Sequence, residues 1–356
     1  MKTYRNLYPK VWDFENLLMA YQKARKGKRG KVYVAAFERQ QEEELFALQD
    51  DLRLKTYQPG AYHSFFIHEP KKRLISAAPF RDRVAHHALC QVIEPIWEAR
   101  FIDDSFANRI GKGTHRALNR ATQFARQYRY FLQCDVRQFF PSIDLAILRA
   151  ELARRIADPD ALWLCDQILQ SGDGVLSEEY EMVYFPGDDL FAVNRPRGLP
   201  IGNLTSQFLA NVYLNSFDQF VKRELKCAAT LRYVDDFLLF SDDPRTLLIW
   251  LGAIQSKMAD LRLTLHEESA RINAVADGIP FLGFRLYPDY CRVKRRKVIN
   301  FRRKVRHLAE EAAESFEKQA HLKASLLGWV NHVRHGDTRG LQRKMLRLRI
   351  PAVVTA

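Results

Sequence analysis

The chain has 356 residues, 47% of them apolar, and a net charge of +14 from 56 Lys and Arg against 42 Asp and Glu. That length buries a large core in two or three subdomains, and the basic excess favours a polyanionic partner whose binding weakens steeply with salt. Five cysteines without Cys-x-x-Cys spacing (Cys90, Cys134, Cys165, Cys227, Cys291) read as buried free thiols in a reducing cytosol. The longest apolar run, 247–254, is too short to cross a bilayer, and Met1-Lys2-Thr3-Tyr4-Arg5 leads into no signal peptide, so a cytoplasmic protein is expected.

Residues 1–60 read as mostly helical. Phe14, Leu17, Leu18 and Tyr21 share one helical face, and residues 37–54 repeat the habit. Between them, Lys23 to Lys31 forms a basic loop, either a solvated linker or an RNA contact. Strands are expected near 62–67 and 74–76, then a helix over 84–100 in which His86 and His87 are packing or polar-surface residues. Helices follow at 144–156 and 205–221, separated by an irregular insertion at 171–197 rich in Gly, Pro and acid. His266-Glu267-Glu268 lacks a second histidine four residues on, so no zincin site is implied. From Lys294 the pattern turns helical and basic. Between Arg292 and Arg306 stand nine Lys or Arg and no acid, a clustering that favours a nucleic-acid face.

Two acidic elements carry the chemistry. Leu231 to Phe240 contains Tyr233-Val234-Asp235-Asp236 between apolar, β-prone runs and reads as a hairpin with carboxylates at its tip. A lone Asp-Asp pair would suit a solvated turn equally well. About a hundred residues earlier, however, the apolar strand Tyr130 to Cys134 ends in Asp135, where a carboxylate is costly without a partner or a metal. If the two strands pair, three carboxylates meet at one sheet end. There they suit two magnesium ions about 4 Å apart, the arrangement used for nucleotidyl transfer.

These residues resemble the reverse transcriptases. Asp135 matches the first metal-binding aspartate of that family's palm, with Val136 beside it in the metal-binding set, and Tyr233-Val234-Asp235-Asp236 matches its Tyr-x-Asp-Asp box. The resemblance runs over roughly residues 60 to 340 in the family's motif order. Lys71-Lys72-Arg73 through Phe80-Arg81-Asp82-Arg83 and Phe106 to His115 look like fingers motifs. Gly198 to Gln207 looks like the template- and nucleotide-positioning motif, and Phe281-Leu282-Gly283-Phe284 like the hairpin that grips the primer. Most bacterial relatives of the group II intron type carry Gln-Gly, three residues, then Ser-Pro in the positioning motif. Here Ile201-Gly202 and Ser206-Gln207 stand in their place, a form similar to the reverse transcriptases of diversity-generating retroelements.

The resemblance implies an α+β right-hand polymerase. A helical, basic extension (1–60) precedes fingers and palm with an antiparallel sheet and helices (61–290), then a small basic helical thumb (291–356). It implies catalysis by Asp135, Asp235 and Asp236 with two Mg2+ ions, Mn2+ being able to substitute. Nucleotide contacts are expected from Lys72, Arg73, Arg137, Gln138, Phe139, Phe140, Ile201, Gly202 and Gln207. Nucleic-acid contacts are expected from Arg295, Arg296, Lys297, Arg302, Arg303 and Lys304. Phe140, five after Asp135, corresponds to the gate that collides with a ribose 2′-hydroxyl, whereas Phe139 suits the core. Ile201 neither donates nor accepts a hydrogen bond, which loosens discrimination by about 1 kcal/mol. The family's lysine after the Tyr-x-Asp-Asp hairpin is replaced by Ser269; Arg271 is a poor proton donor, and His266 is either a donor or a surface residue. The expected partners are template RNA, the cDNA or primer, deoxynucleoside triphosphates and a small accessory variability protein, in a bacterial or phage-encoded system without a membrane. No room is left before Ala356 for the DNA-binding and endonuclease domains of intron-encoded relatives.

Overall fold

The computed structural model describes residues 2–68, 72–312 and 315–346. Lys71, and the thumb expected beyond residue 346, lie outside them. The N-terminal region is helical: α1 (Tyr8–Val11), α2 (Phe14–Arg25), α3 (Val32–Arg39) and α4 (Gln41–Leu54). Asp13 caps α2 by accepting from the Asn16 N–H, and Glu42, Glu43 and Glu44 sit at the positive end of α4. Two expectations shift here. The helical pattern over 37–54 is broken at Gln40, whose ψ of 36° leaves the helical region, so two helices form. Lys23 and Arg25 belong to α2, which shortens the basic loop to 26–31.

The ribbon β1 (His63–Ile67) and β2 (Arg73–Ala77) leads into α5 (Phe80–Glu98), against which α2 packs. Leu17, Tyr21 and Leu48 share one apolar core with Val84, Leu89 and Trp97 of α5 and with the palm helices, so the N-terminal helices are built into the body. His86 is buried there with neither ring nitrogen hydrogen-bonded, and burial pushes its pKa down to about 3.

After α6 (Thr114–Gln127), the chain enters β3 (Tyr130–Asp135), α7 (Phe139–Ser142), α8 (Leu145–Ala153), α9 (Pro159–Ser171) and α10 (Leu204–Gln219). Asp144 and Asp158 cap α8 and α9. The hairpin β4 (Thr230–Tyr233) and β5 (Asp236–Ser241), helix α11 (Pro244–Asp260) and β6 (Arg271–Ala274) complete an antiparallel sheet in the order β4-β5-β3-β6. Alternation along the strands gives the sheet two apolar faces. Leu132, Cys134, Phe237 and Leu239 join the large core, while Phe131, Leu231, Leu238 and Phe240 join a second core under α6. That second core also takes Phe281 and Phe284 from the three-stranded sheet of β7 (Ile279–Phe281), β8 (Phe284–Leu286) and β9 (Cys291–Val293).

The helical C-terminal part starts at Arg295: α12 (Arg295–Glu311), α13 (Phe316–Val333) and α14 (Arg339–Leu346). Its own core is small, centred on Val305, Ala312 and Leu322, with Phe301 stacked on Trp329 at 4.6 Å. Cys90, Cys134, Cys165 and Cys227 are buried free thiols as expected; Cys291 is only half-buried. Among the described residues no helix is long and apolar enough to cross a membrane.

Candidate active site

The pairing expected of the two acidic elements is present: β3 runs antiparallel to β5 with Asp135 directly opposite Asp236. Cross-strand partners share a face, so both carboxylates stand on the side of the β7–β9 sheet. Asp235 is in the two-residue turn with Val234, and its carbonyl accepts from the Val136 N–H at 3.3 Å. Burial first, then repulsion by Asp135, raises Asp235 to about 6. Burial raises Asp236 to about 7, opposed by a hydrogen bond from Gln133 and reinforced by Asp135 and Asp235. Such a cluster is strained as three anions and relaxed by a cation.

The turn itself is held under strain. Val234, a β-branched residue, has φ +60° in the left-handed region. Arg232 supplies the restraint: one of its guanidinium N–H groups donates to the Val234 carbonyl at 2.8 Å, and others pair with Asp218 of α10 at 2.8 and 2.7 Å and with Asn211 at 3.1 Å. Arg232 and Asp218 are each 2% exposed, so removing one partner leaves a buried charge and costs about 3–5 kcal/mol. Sequence reasoning passed over this pair, although an arginine inside the apolar run Leu231 to Phe240 demands a buried partner.

The other expected residues divide. Arg73 on β2 lies close enough to Asp235 to favour its anion, whereas Lys72 is turned over the Phe66 ring at 4.2 Å. Phe139 is in the core; Phe140 is partly buried against it at 5.4 Å, its carbonyl accepting from the Leu199 N–H. The Val136 side chain is buried and apolar, which leaves only its main-chain oxygen suited to a cation. Arg137 pairs with Glu181 of the 171–197 insertion, and Gln138, at φ +46°, accepts from the Glu181 N–H at 3.1 Å. That insertion is pinned to the palm by Asp188, which Arg262 and Arg195 hold well below the usual carboxylate range.

The loop carrying Ile201 and Gly202 is fastened to β2. The Ile201 carbonyl accepts from the Ser76 N–H at 2.8 Å, and Gly202, at φ +121°, approaches Ile75 so closely that a Cβ would meet its Cγ2 at 2.9 Å. Buried Asn203, which the sequence reading did not single out, accepts from Ala78 and donates to Ser76 and Pro200. Gln207 lies apart: it lines a cavity of about 460 Å³ with Lys23, His87, Glu94 and Arg109, a lining that includes none of the three aspartates.

Lys294, at the start of α12, also escaped notice as a site residue. Its N–H donates to the Gly283 carbonyl at 3.0 Å, and its ammonium interacts with Asp236 while burial lowers its pKa. Arg295, Arg296, Lys297, Arg303 and Lys304 are exposed along α12, and Arg302 is partly so. Four cations from 294 to 297 crowd the positive end of a helix whose first turn has no acid, an arrangement unfavourable in isolation. Ser269 bonds back to the His266 carbonyl, while the His266 N–H donates to the Asp135 carbonyl at 2.9 Å, so this segment flanks the site through its main chain.

Among the described residues no three His, Cys, Asp or Glu side chains converge as a preformed metal centre. The donor set nevertheless fits magnesium, which binds through one or two carboxylates and completes its shell with substrate phosphates and water.

Residues 67–286 match the family described as reverse transcriptase (RNA-dependent DNA polymerase). The chain belongs to that family. This reverse transcriptase has the family's α+β right-hand polymerase fold. It is 24% identical to Protein YkfC of Escherichia coli K12, covering 72% of this chain and 74% of that one. It is 26% identical to the Group II intron-encoded protein LtrA of Lactococcus lactis subsp. cremoris over 51% of this chain, and 27% identical to Nuclear intron maturase 2, mitochondrial, of Arabidopsis thaliana over 47%. It spans only 28% and 25% of those two proteins. The apo telomerase structure from Candida tropicalis aligns with a TM-score of 0.48 at 12% identity, over 65% of this chain and 48% of that one.

Proposed function

We propose that the protein copies an RNA template into error-prone cDNA for a diversity-generating retroelement, with Asp135, Asp235 and Asp236 as its metal-holding catalytic residues. The observation that carries the polymerase chemistry is the register placing Asp135 opposite Asp236, beside a hairpin tip bearing Asp235. These carboxylates would hold magnesium, which when bound would lower the pKa of the primer 3′-hydroxyl and neutralise the triphosphate. Arg73 offers a cation beside Asp235 for charge developing on the phosphates. Phe140, fixed through its carbonyl to Leu199, acts as the gate against a ribose 2′-hydroxyl, so deoxynucleotides are the substrates. For Arg137 and Gln138 to reach the nucleotide, Glu181 must first give way. The basic face of α12 takes the nucleic acid. The diversity-generating role rests on Ile201-Gly202 and Ser206-Gln207 and brings with it an accessory variability protein as partner.

Primer extension on RNA with deoxynucleotides and magnesium tests the reading, beside an Asp235→Ala Asp236→Ala double variant. Full cDNA with substitutions concentrated at template adenines, absent from the variant, is the expected result. Accurate cDNA would instead favour an intron-type reverse transcriptase, which the likeness to LtrA and to the intron maturase supports. No product, with RNA and accessory protein supplied, would leave an RNA-binding scaffold.

A further inference from the structure

Beside the shared apolar core, one side chain hydrogen-bonds the carboxylate sheet to the β7–β9 sheet. Gln133 lies on β3 two residues before Asp135, hence on the same face, and diagonally across from Asp236 on β5. Its Nε2 donates to Asp236 Oδ1 at 3.0 Å and to the Pro280 carbonyl on β7 at 3.2 Å. Both partners accept, so the amide nitrogen with its two N–H groups has to face them, and the orientation is determined. An apolar residue would pack at this partly buried position without the cost of desolvating an amide, and the two bonds are what offset that cost. Pro280 stands opposite Arg285 in the β7–β8 hairpin, whose Gly283 carbonyl in turn receives the Lys294 N–H. A shift of the hairpin therefore reaches the Asp236 carboxylate by hydrogen bonds through this amide, beside the charge interaction with Lys294.

We propose that Gln133 is a positioning residue that couples the β7–β8 hairpin to Asp236, so that seating a primer end on the hairpin orients this carboxylate for its metal. The inference rests on the polymerase reading for what the hairpin carries, but the coupling itself is measurable without catalysis. Gln133→Met fills the same volume and donates nothing. In the full chain, hydrogen exchange of amides in 279–286 is expected to accelerate about fivefold, the loss of one hydrogen bond of about 1 kcal/mol. Exchange in β3 and β5 should stay at the parent rate. Mn2+ binding to the protein–primer–template complex, followed by electron paramagnetic resonance, is expected to weaken several-fold. Gln133→Asn, one methylene too short to reach both acceptors, should act in the same direction and covers a folding failure of the first variant. Unchanged hairpin exchange, an equal acceleration across both sheets, or unchanged Mn2+ affinity would each overturn the proposal. If the coupling appears while the parent protein makes no cDNA, the polymerase reading fails and only the coupling of the hairpin to Asp236 stands.

Discussion

The palm corner and the C-terminal helices solve opposite problems. At the corner, three carboxylates and a strained turn are held by partners far away in sequence: Asp218 and Asn211 restrain Arg232, Gln133 restrains Asp236, and Asp104 accepts from Lys222 and Arg120 beneath β4. In the C-terminal helices, the charges lie outside, the shared core is a handful of residues, and the first turn of α12 works against its own dipole. The corner is thus built to keep a geometry that its charges oppose. The helices are built to present charge and to yield.

The largest expected break in that contrast comes from Arg232. Arg232→Met should lower unfolding free energy by about 3–5 kcal/mol, because Asp218 is left buried without its partner. A denaturant melt with the parent midpoint would show that the pair restrains nothing. By contrast, Arg295→Ala and Arg296→Ala in α12 should leave the unfolding free energy within about 0.5 kcal/mol of the parent.

Acidity sharpens the comparison next. Asp235 and Asp236, raised to about 6 and about 7, hold protons more tightly when folded than when unfolded. Their contribution is therefore full below about pH 4 and declines as pH rises to about 7 in metal-free protein, a loss of about 3 to 4 kcal/mol for each group taken alone. Magnesium should restore stability at pH 8 and do little at pH 5, and Asp236→Asn should flatten the profile. Thermal melts across pH, with and without metal, decide it; a flat profile for the parent protein would remove the strain assigned to the corner.

A smaller effect is expected from the helical side. Losing Arg295 and Arg296 should lower the magnitude of the slope of log affinity for a primer–template against log salt by about 2, with the rate at saturating template unchanged. Filter binding at several salt concentrations measures it, and an unaltered slope would take these residues off the nucleic-acid path. Smallest of all, Ile201→Gln should reduce misincorporation opposite adenine several-fold, worth about 1 kcal/mol. An unchanged error spectrum would exclude Ile201 from fidelity.

Much of this was readable in the chain. Apolar, β-prone runs marked β3, β4 and β5, and the acids at their ends forecast the corner, because strand propensity and the cost of a buried charge are local signals. The partners were less visible. Gln133 and Asp218 matter only through bonds to Asp236 and Arg232, 103 and 14 residues away, which no local pattern encodes. Lys72 and Arg73 were indistinguishable as a charge run; Lys72, just before β2, lies over Phe66, while Arg73, its first residue, lies beside Asp235. Gln207 shared a motif with Ile201, yet the turn into α10 separates them, and Gln207 faces a different cavity.

Cys291 offers a use beyond packing. It is the half-buried thiol among four buried ones, and its main chain is clasped by Asp337: its N–H donates to that carboxylate and its carbonyl accepts from the Asp337 N–H, both at 2.8 Å. Burial pushes the thiol up to about 11, so it reacts slowly while that clasp is closed. The rate at which a maleimide or disulfide reagent takes Cys291 is then a clock for how often the C-terminal helices let go of the palm. The sequence thereby carries a labelling site where the connection between α13 and α14 meets β9.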